Sequence, residues 1–169
     1  MSGHGFDESE FRNVLGCYAT GVCVVTTCRP DGKREGLTVN SFSSVSITPP
    51  LVFWALSRRA ASALAFQDAE FFAINVLAAD QQEISQRFAK PALDKFVGIE
   101  ELVCEGLGRA PLLHGVVARL ECRNEFQTDG GDHIVMFGRV ERFEYWKRAP
   151  LLYHCGRYAR IAVEEPVTG

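Results

Sequence analysis

No run of apolar residues in this 169-residue chain is long enough to cross a bilayer, and its 18 lysines and arginines are dispersed rather than clustered. The first absence excludes a helical membrane span. The second, with a formal net charge of -3, leaves no electrostatic footprint for nucleic acid or anionic lipid, so neither is expected as a partner. The start, MSGHGFDESEF, lacks a basic stretch followed by an apolar core, and a cytoplasmic protein is expected. CxxC pairs are missing. The six cysteines, at 17, 23, 28, 104, 122 and 155, are too scattered for a metal framework and read as small buried hydrophobes; Cys155 beside His154 is the one hint of a ligand pair. There is no GxGxxG to support a dinucleotide site on a doubly wound sheet. A Ser-His-Asp set, a close carboxylate pair and a metal cluster are equally absent, so hydrolytic chemistry has no residues to rest on. Repeats, linkers and low-complexity tracts are lacking as well, and the length suits one domain spanning 1–169.

What is present is mostly strand. Residues 7–18, DESEFRNVLGCY, begin with an acidic turn and place Phe11, Val14, Leu15 and Tyr18 at helical spacing, which predicts a short amphipathic helix. The β-branched run after Gly21 and the extended run ending near Phe42 flank PDGK, predicting a hairpin centred on Asp31-Gly32. LVFWAL, residues 51–56, is continuously apolar, so burial on both faces is expected. Short helices are expected at 60–67 and 79–90, the latter stopped by Pro91, with a strand at 70–78 between them. Residues 91–115 read as irregular chain, and two long β-rich runs joined by DGGD predict a second hairpin. Antiparallel strands with few helices, and no strand-helix alternation, argue for a mainly β fold closed as an antiparallel barrel.

Hydroxyl side chains crowd into one stretch. In GLTVNSFSSVSITPP, Leu37, Val39, Val45 and Ile47 take inward positions of extended chain while Thr38, Asn40, Ser41, Ser43, Ser44, Ser46 and Thr48 fill the rest. Just past the next strand come Ser57, Arg58, Arg59 and Ser62, where a strand end leads into a helix and offers donors and charge to a phosphate. Read alone, the two segments are either a cradle for a polyol and phosphate or ordinary serines facing water. His133, after DGGD, is by the same reading either a site residue or a turn cap, and His4, His114 and His154 read as structural or surface residues.

TGVCVVTT, GLTVNSFSSVSITPPLV, FAINVL, GDHIVMFGRV and PLLYHCGRY, in this order, resemble the short-chain flavin reductases, reductase components of two-component flavin-dependent monooxygenases. The resemblance covers about residues 10–161. It implies a split β-barrel of the FMN-binding type (a Greek-key antiparallel barrel), a homodimer, FMN or FAD as cofactor, NADH or NADPH as hydride donor, and a separate monooxygenase as partner. Carried over residue by residue, it implies that Thr38, Asn40, Ser41 and Ser44 contact the flavin ring and ribityl chain, that Ser57, Arg58 and Ser62 hold the phosphate, and that Arg87 reaches the outer phosphate or adenine end. His133 and Tyr158 would line the nicotinamide site, with His133 as the catalytic position. Ala60 and Ala61 stand where many relatives have hydroxyls, which leaves FMN against FAD open. The implied activity, flavin reduction by hydride transfer, needs orientation and a dry pocket rather than an acid-base set. The alternatives are a flavin-binding barrel without turnover, or one whose bound flavin acts on another small molecule.

Overall fold

A computed structural model describes residues 7–162, so His4 and both chain ends lie outside the described residues. Helix α1 (Glu8–Gly16) is started by Asp7, whose carboxylate accepts from the Ser9 and Glu10 amides at 2.8 and 3.2 Å. A seven-stranded antiparallel sheet follows. It comprises β2 (Cys23–Cys28), β3 (Arg34–Val39), β4 (Ser43–Ser46), β5 (Leu51–Ser57), β6 (Phe71–Val76), β9 (Ala118–Gly130) and β10 (His133–Tyr145), in the order β3-β2-β6-β9-β10-β5-β4. Helices α2 (Ala63–Asp68) and α3 (Gln82–Ala89) flank β6, β7 (Val103–Glu105) pairs with β8 (Pro111–Leu113), and β1 (Thr20–Gly21), β11 (Leu152–His154) and β12 (Arg157–Ala159) form a small third sheet.

The two edge strands, β3 and β4, are not hydrogen-bonded to each other, yet only residues 40–42 join them in the chain. At roughly 3.3–3.6 Å per residue so short a link keeps the edges close, so the sheet has to curl until they nearly meet. The result is the split barrel that the family resemblance implied, and its split is bridged by Asn40, Ser41 and Phe42, within the hydroxyl-rich stretch. Trp54, Phe66, Phe72, Ile74, Cys122 and Met136 fill the interior, Trp54 meeting Phe66 and Phe72 edge-on at 5.2 and 5.8 Å. A second core lies outside β2, where Val22 and Val24 pack with Leu77, Phe88, Phe96, Leu113 and Leu151. Asn75, fully buried, ties the layers together: its amide donates to Val24 O at 3.1 Å and Thr26 Oγ1 at 3.3 Å, and its carbonyl accepts from the Leu113 amide at 2.8 Å.

Both hairpins stand where their turn residues place them, with Gly32 at φ +87° and Gly131 at φ +71°. Four expectations fail. LVFWAL alternates, with Val52, Trp54 and Leu56 buried and Leu51, Phe53 and Ala55 only half-buried, because no layer covers the outer face of β5; the strands buried on both faces are β2 and its neighbour β6. Residues 91–115, read as irregular chain, contain the short antiparallel pair β7–β8, which three-residue strands are too brief to signal by alternation. Val45 and Ile47 are outside, since β4 is an edge strand paired only with β5. Of the cysteines, Cys23 and Cys122 are buried as expected, but Cys17 and Cys155 are exposed.

Candidate functional site

Between β3 and α3 run two adjoining clefts that share Thr38 and Ala89. The first, about 210 Å³, is walled by Val22, Val39 and Ala89 and edged with the polar groups of Thr38, Asn40, Ser85, Tyr153 and Tyr158. The second, about 570 Å³, continues past Leu37, Phe88 and Pro91 to Arg59, Ala60, Ala61, Ser62 and Lys95. Apolar walls, hydroxyls at one end and cations at the other make an amphipathic trough. A wider hollow of about 740 Å³ lies on the other side of α3, among exposed charged side chains such as Arg148 and Asp80, which pair at 2.6 Å; it has no comparable apolar wall of strand residues.

Hydrogen bonds fix the rim of the trough. Thr38 Oγ1 donates to the Ser85 carbonyl at 2.7 Å, anchoring α3 on β3, and Ser85 Oγ lies 2.8 Å from the Tyr158 hydroxyl. Ser41 sits on the bridging link, where its Oγ accepts from the Ala55 amide at 2.9 Å and stitches the link to β5. Ser62, only 8% exposed, precedes α2 and makes no side-chain capping bond there. Lys95 donates to the carbonyls of Gly36 and Phe88 at 3.0 and 2.7 Å. Its burial holds the ammonium below the usual lysine range, partly offset by the nearby Glu35 carboxylate.

The residues expected at the site are therefore divided. Thr38, Asn40, Ser62 and Tyr158 line the trough; Ser41 borders it through the link; Ser44 is exposed on β4 opposite Val52 and lines neither cleft. Ser57 and His133 are cross-strand neighbours at the ends of β5 and β10, outside both linings. Arg58 is drawn to the β9–β10 turn: its guanidinium pairs with Asp129, its Nε donates to the Gly131 carbonyl at 3.1 Å and its amide to Asp132 O at 3.1 Å. Arg87 donates to Val97 O at 2.9 Å and borders the hollow on the far side of α3. His133 Nδ1 lies 2.8 Å from the Asp132 carboxylate, and this hydrogen bond, then the charge of the ring, holds Asp132 below the usual carboxylate range.

Ser85 and Lys95 reach the trough without having been singled out from the sequence, and Arg59, marked there only as a neighbouring source of charge, lines it in place of Arg58. Helix geometry explains part of this: Ser85 and Phe88, three apart, share the face of α3 turned to β3, whereas Arg87 lies about 200° around from Ser85. That periodicity was available in EISQRFA; the choice between Arg58 and Arg59 was not, because it depends on the β9–β10 turn arriving beside Arg58.

Residues 15–162 match the family model described as a flavin reductase like domain. The chain belongs to this flavin reductase-like family. It is 40% identical over 159 residues to the FMN reductase (NADH) SmoA of Agrobacterium fabrum, covering 94% of this chain and 88% of that relative. It is also 40% identical over 149 residues to the reductase component of a flavin-dependent trigonelline monooxygenase from Acinetobacter baylyi, where it spans 88% of its own length and about half, 47%, of the relative's. Among solved structures, the NADH:FAD oxidoreductase SgcE6 of Streptomyces globisporus, in complex with NAD and FAD fragments, superposes with a TM-score of 0.86 at 34% identity over 96% of both chains. In this flavin reductase-like domain the described residues hold no cluster of three or more metal-ligating side chains, and the trough contains no nucleophile-base pair.

Proposed function

We propose that this chain is an NAD(P)H:flavin oxidoreductase that reduces FMN or FAD and supplies the reduced flavin to a separate flavin-dependent monooxygenase. The observation that carries this reading is the trough itself, with apolar walls from Val22, Val39, Leu37 and Phe88, hydroxyls at one end and Arg59 with Lys95 at the other. That donor set fits a flavin nucleotide. Thr38 and Asn40 face the ring and ribityl chain, Ser41 holds the link that carries Asn40, and Ser62 with Arg59 grips the phosphate. Helix α2 has only six residues, and Ala60 and Ala61 carry no hydroxyl, so charge and Ser62 do the gripping rather than a helix dipole or a hydroxyl-rich loop. Ser44, Ser57, Arg58 and Arg87 take supporting places around the site.

A bound flavin supplies the electrophilic ring nitrogen that accepts hydride from nicotinamide. The protein's part is positional. Tyr158, fixed by Ser85, and Tyr153, edge-on to it at 5.5 Å, form an aromatic wall beside Asn40, and His133, oriented by Asp132, stands ready to seat the second nucleotide. No residue need exchange a proton for the transfer to proceed.

The reading extends to a cytoplasmic homodimer of one domain per chain. Its support is the uncovered apolar surface: Phe126 stacks on Phe137 at 4.3 Å, Phe137 lies 6.0 Å from Phe53 outside the barrel, and Val14, Leu15, Val45 and Ile47 are exposed. Following NADH absorbance with and without added FMN or FAD tests the function. Oxidation proportional to flavin is expected. Flavin binding without NADH loss leaves a binding protein, and no binding at all overturns the reading.

A further inference from the structure

Two exposed thiols meet outside the trough. Cys17 ends α1, with its Sγ 3.4 Å from the Asn13 carbonyl, and Cys155 occupies the loop between β11 and β12. The Cys155 amide donates to the Gly16 carbonyl at 2.8 Å, so the bond that docks the loop on α1 falls on the peptide unit leading into Cys17. A Cβ placed on Gly16 would stand 3.6 Å from Cys155 Cα. The loop thus packs against the residue next to Cys17, which sets the two cysteines side by side. Cys155 also adopts φ +47° and Gly156 φ +75°, the two left-handed positions of a tight hairpin turn where Asn, Asp or Gly is preferred to cysteine. His154 Nε2 lies 3.4 Å from Cys155 Sγ. Partial desolvation, then the charge and hydrogen bonding of Cys17, hold the Cys155 thiol above its usual range, which places the two thiols in each other's electrostatic reach.

We propose that Cys17 and Cys155 form a reversible disulfide, a peroxide-responsive lock on the β11–β12 hairpin. That hairpin carries Tyr153 and Tyr158, the aromatic wall of the trough, so cross-linking its turn to α1 restrains the wall. One thiol reduces hydrogen peroxide, becoming a sulfenic acid and releasing water. The second thiol then displaces the sulfenic oxygen as a second water, leaving the S–S bond. Two thiols thus lose two electrons and two protons, and peroxide becomes two waters. On the flavin reductase reading, on which the purpose of the lock rests, reduced flavin that meets dioxygen before an oxygenase yields hydrogen peroxide, so the lock answers to the enzyme's own uncoupled product.

The test treats the full chain with hydrogen peroxide, alkylates native thiols with iodoacetamide and maps the peptides without reduction. Expected is a single cross-link between the Cys17 and Cys155 peptides, reversed by dithiothreitol. Cys23 and Cys122, whose thiols burial pushes up to about 12, stay unlabelled in either state. NADH oxidation in the cross-linked form is expected to fall about tenfold, within the usual range of coupling between a switch and a site. Cys17→Ser keeps the basal rate and resists peroxide. Absence of the cross-link, or a cross-link with unaltered NADH kinetics in active protein, overturns the proposal. If the reduced protein neither binds flavin nor oxidises NADH, the functional reading fails on its own, while peptide mapping still decides whether the bond forms.

Discussion

Arg58 and Arg59 are adjacent in sequence and make opposite commitments, which yields a sharp prediction about flavin phosphate. Arg58 is paired with Asp129 and with the Gly131 carbonyl, whereas Arg59 lines the trough and its guanidinium makes no hydrogen bond among the described residues. Arg59→Ala removes a cation able to turn toward phosphate without breaking an existing contact. A charge-assisted contact is worth about 1.5–3 kcal/mol, and because Arg59 is exposed the lower part of that range applies, about 1.5–2 kcal/mol. FMN affinity should fall roughly ten- to thirtyfold, and riboflavin, which has no phosphate, should bind as before. Arg58→Ala removes a surface pair whose partners are 43% and 89% exposed, worth about 0–1 kcal/mol, and should leave the FMN-to-riboflavin ratio unchanged. Fluorescence titration of both flavins against both variants is the assay, repeated at high ionic strength, where the Arg59 effect should shrink. A ratio that drops for Arg58→Ala and not for Arg59→Ala would refute the assignment.

Three further outcomes are expected. His133→Ala should preserve flavin affinity while raising KM for NADH or lowering kcat about ten- to hundredfold, roughly 1.4–2.7 kcal/mol of lost positioning; normal NADH kinetics with a lowered melting temperature would confine His133 to its turn. Asn75→Ala strips three hydrogen bonds from a fully buried position and takes from the Leu113 amide its side-chain acceptor. A loss of about 2–4 kcal/mol follows, seen as a drop of roughly 5–15 °C by calorimetry, and a change below about 1 kcal/mol would deny Asn75 its tying role. Gly138→Ala puts a methyl 2.5 Å from Phe72 Cζ and 2.8 Å from Cys122 Cβ inside the barrel, so denaturant titration should show a loss of about 1–3 kcal/mol, and an unchanged midpoint would mean that Phe72 moves freely.

Much of the candidate site was legible because its signals are local. Asp31-Gly32 and Gly131 dictate their hairpins through backbone conformations that few other residues tolerate, and Thr38, Asn40 and Ser62 were marked as polar atoms in strand-rich surroundings. The misses share a cause. Burial of Leu51–Leu56 on both faces, an inward Val45 and Ile47, and uniformly buried cysteines were inferred from side-chain character alone, but burial depends on which layer lies opposite. The segment that covers β2 and β6 does not extend over β5 and β4, and nothing within those strands says so.

Local periodicity and turn chemistry, carried by the sequence itself, thus determined the main helices and strands, the antiparallel order of the two hairpins and the presence of a hydroxyl-rich stretch running through the edge strands. Which side chains meet was decided in three dimensions. The docking of α3 through Thr38 and Ser85, the capture of Arg58 by Asp129 and the approach of Cys17 to Cys155 join residues from 47 to 138 positions apart, and the curl that brings β3 toward β4 is set by the whole sheet. Such contacts depend on how strands register and which face is covered, and those are properties of the whole packed sheet, not of any segment read alone.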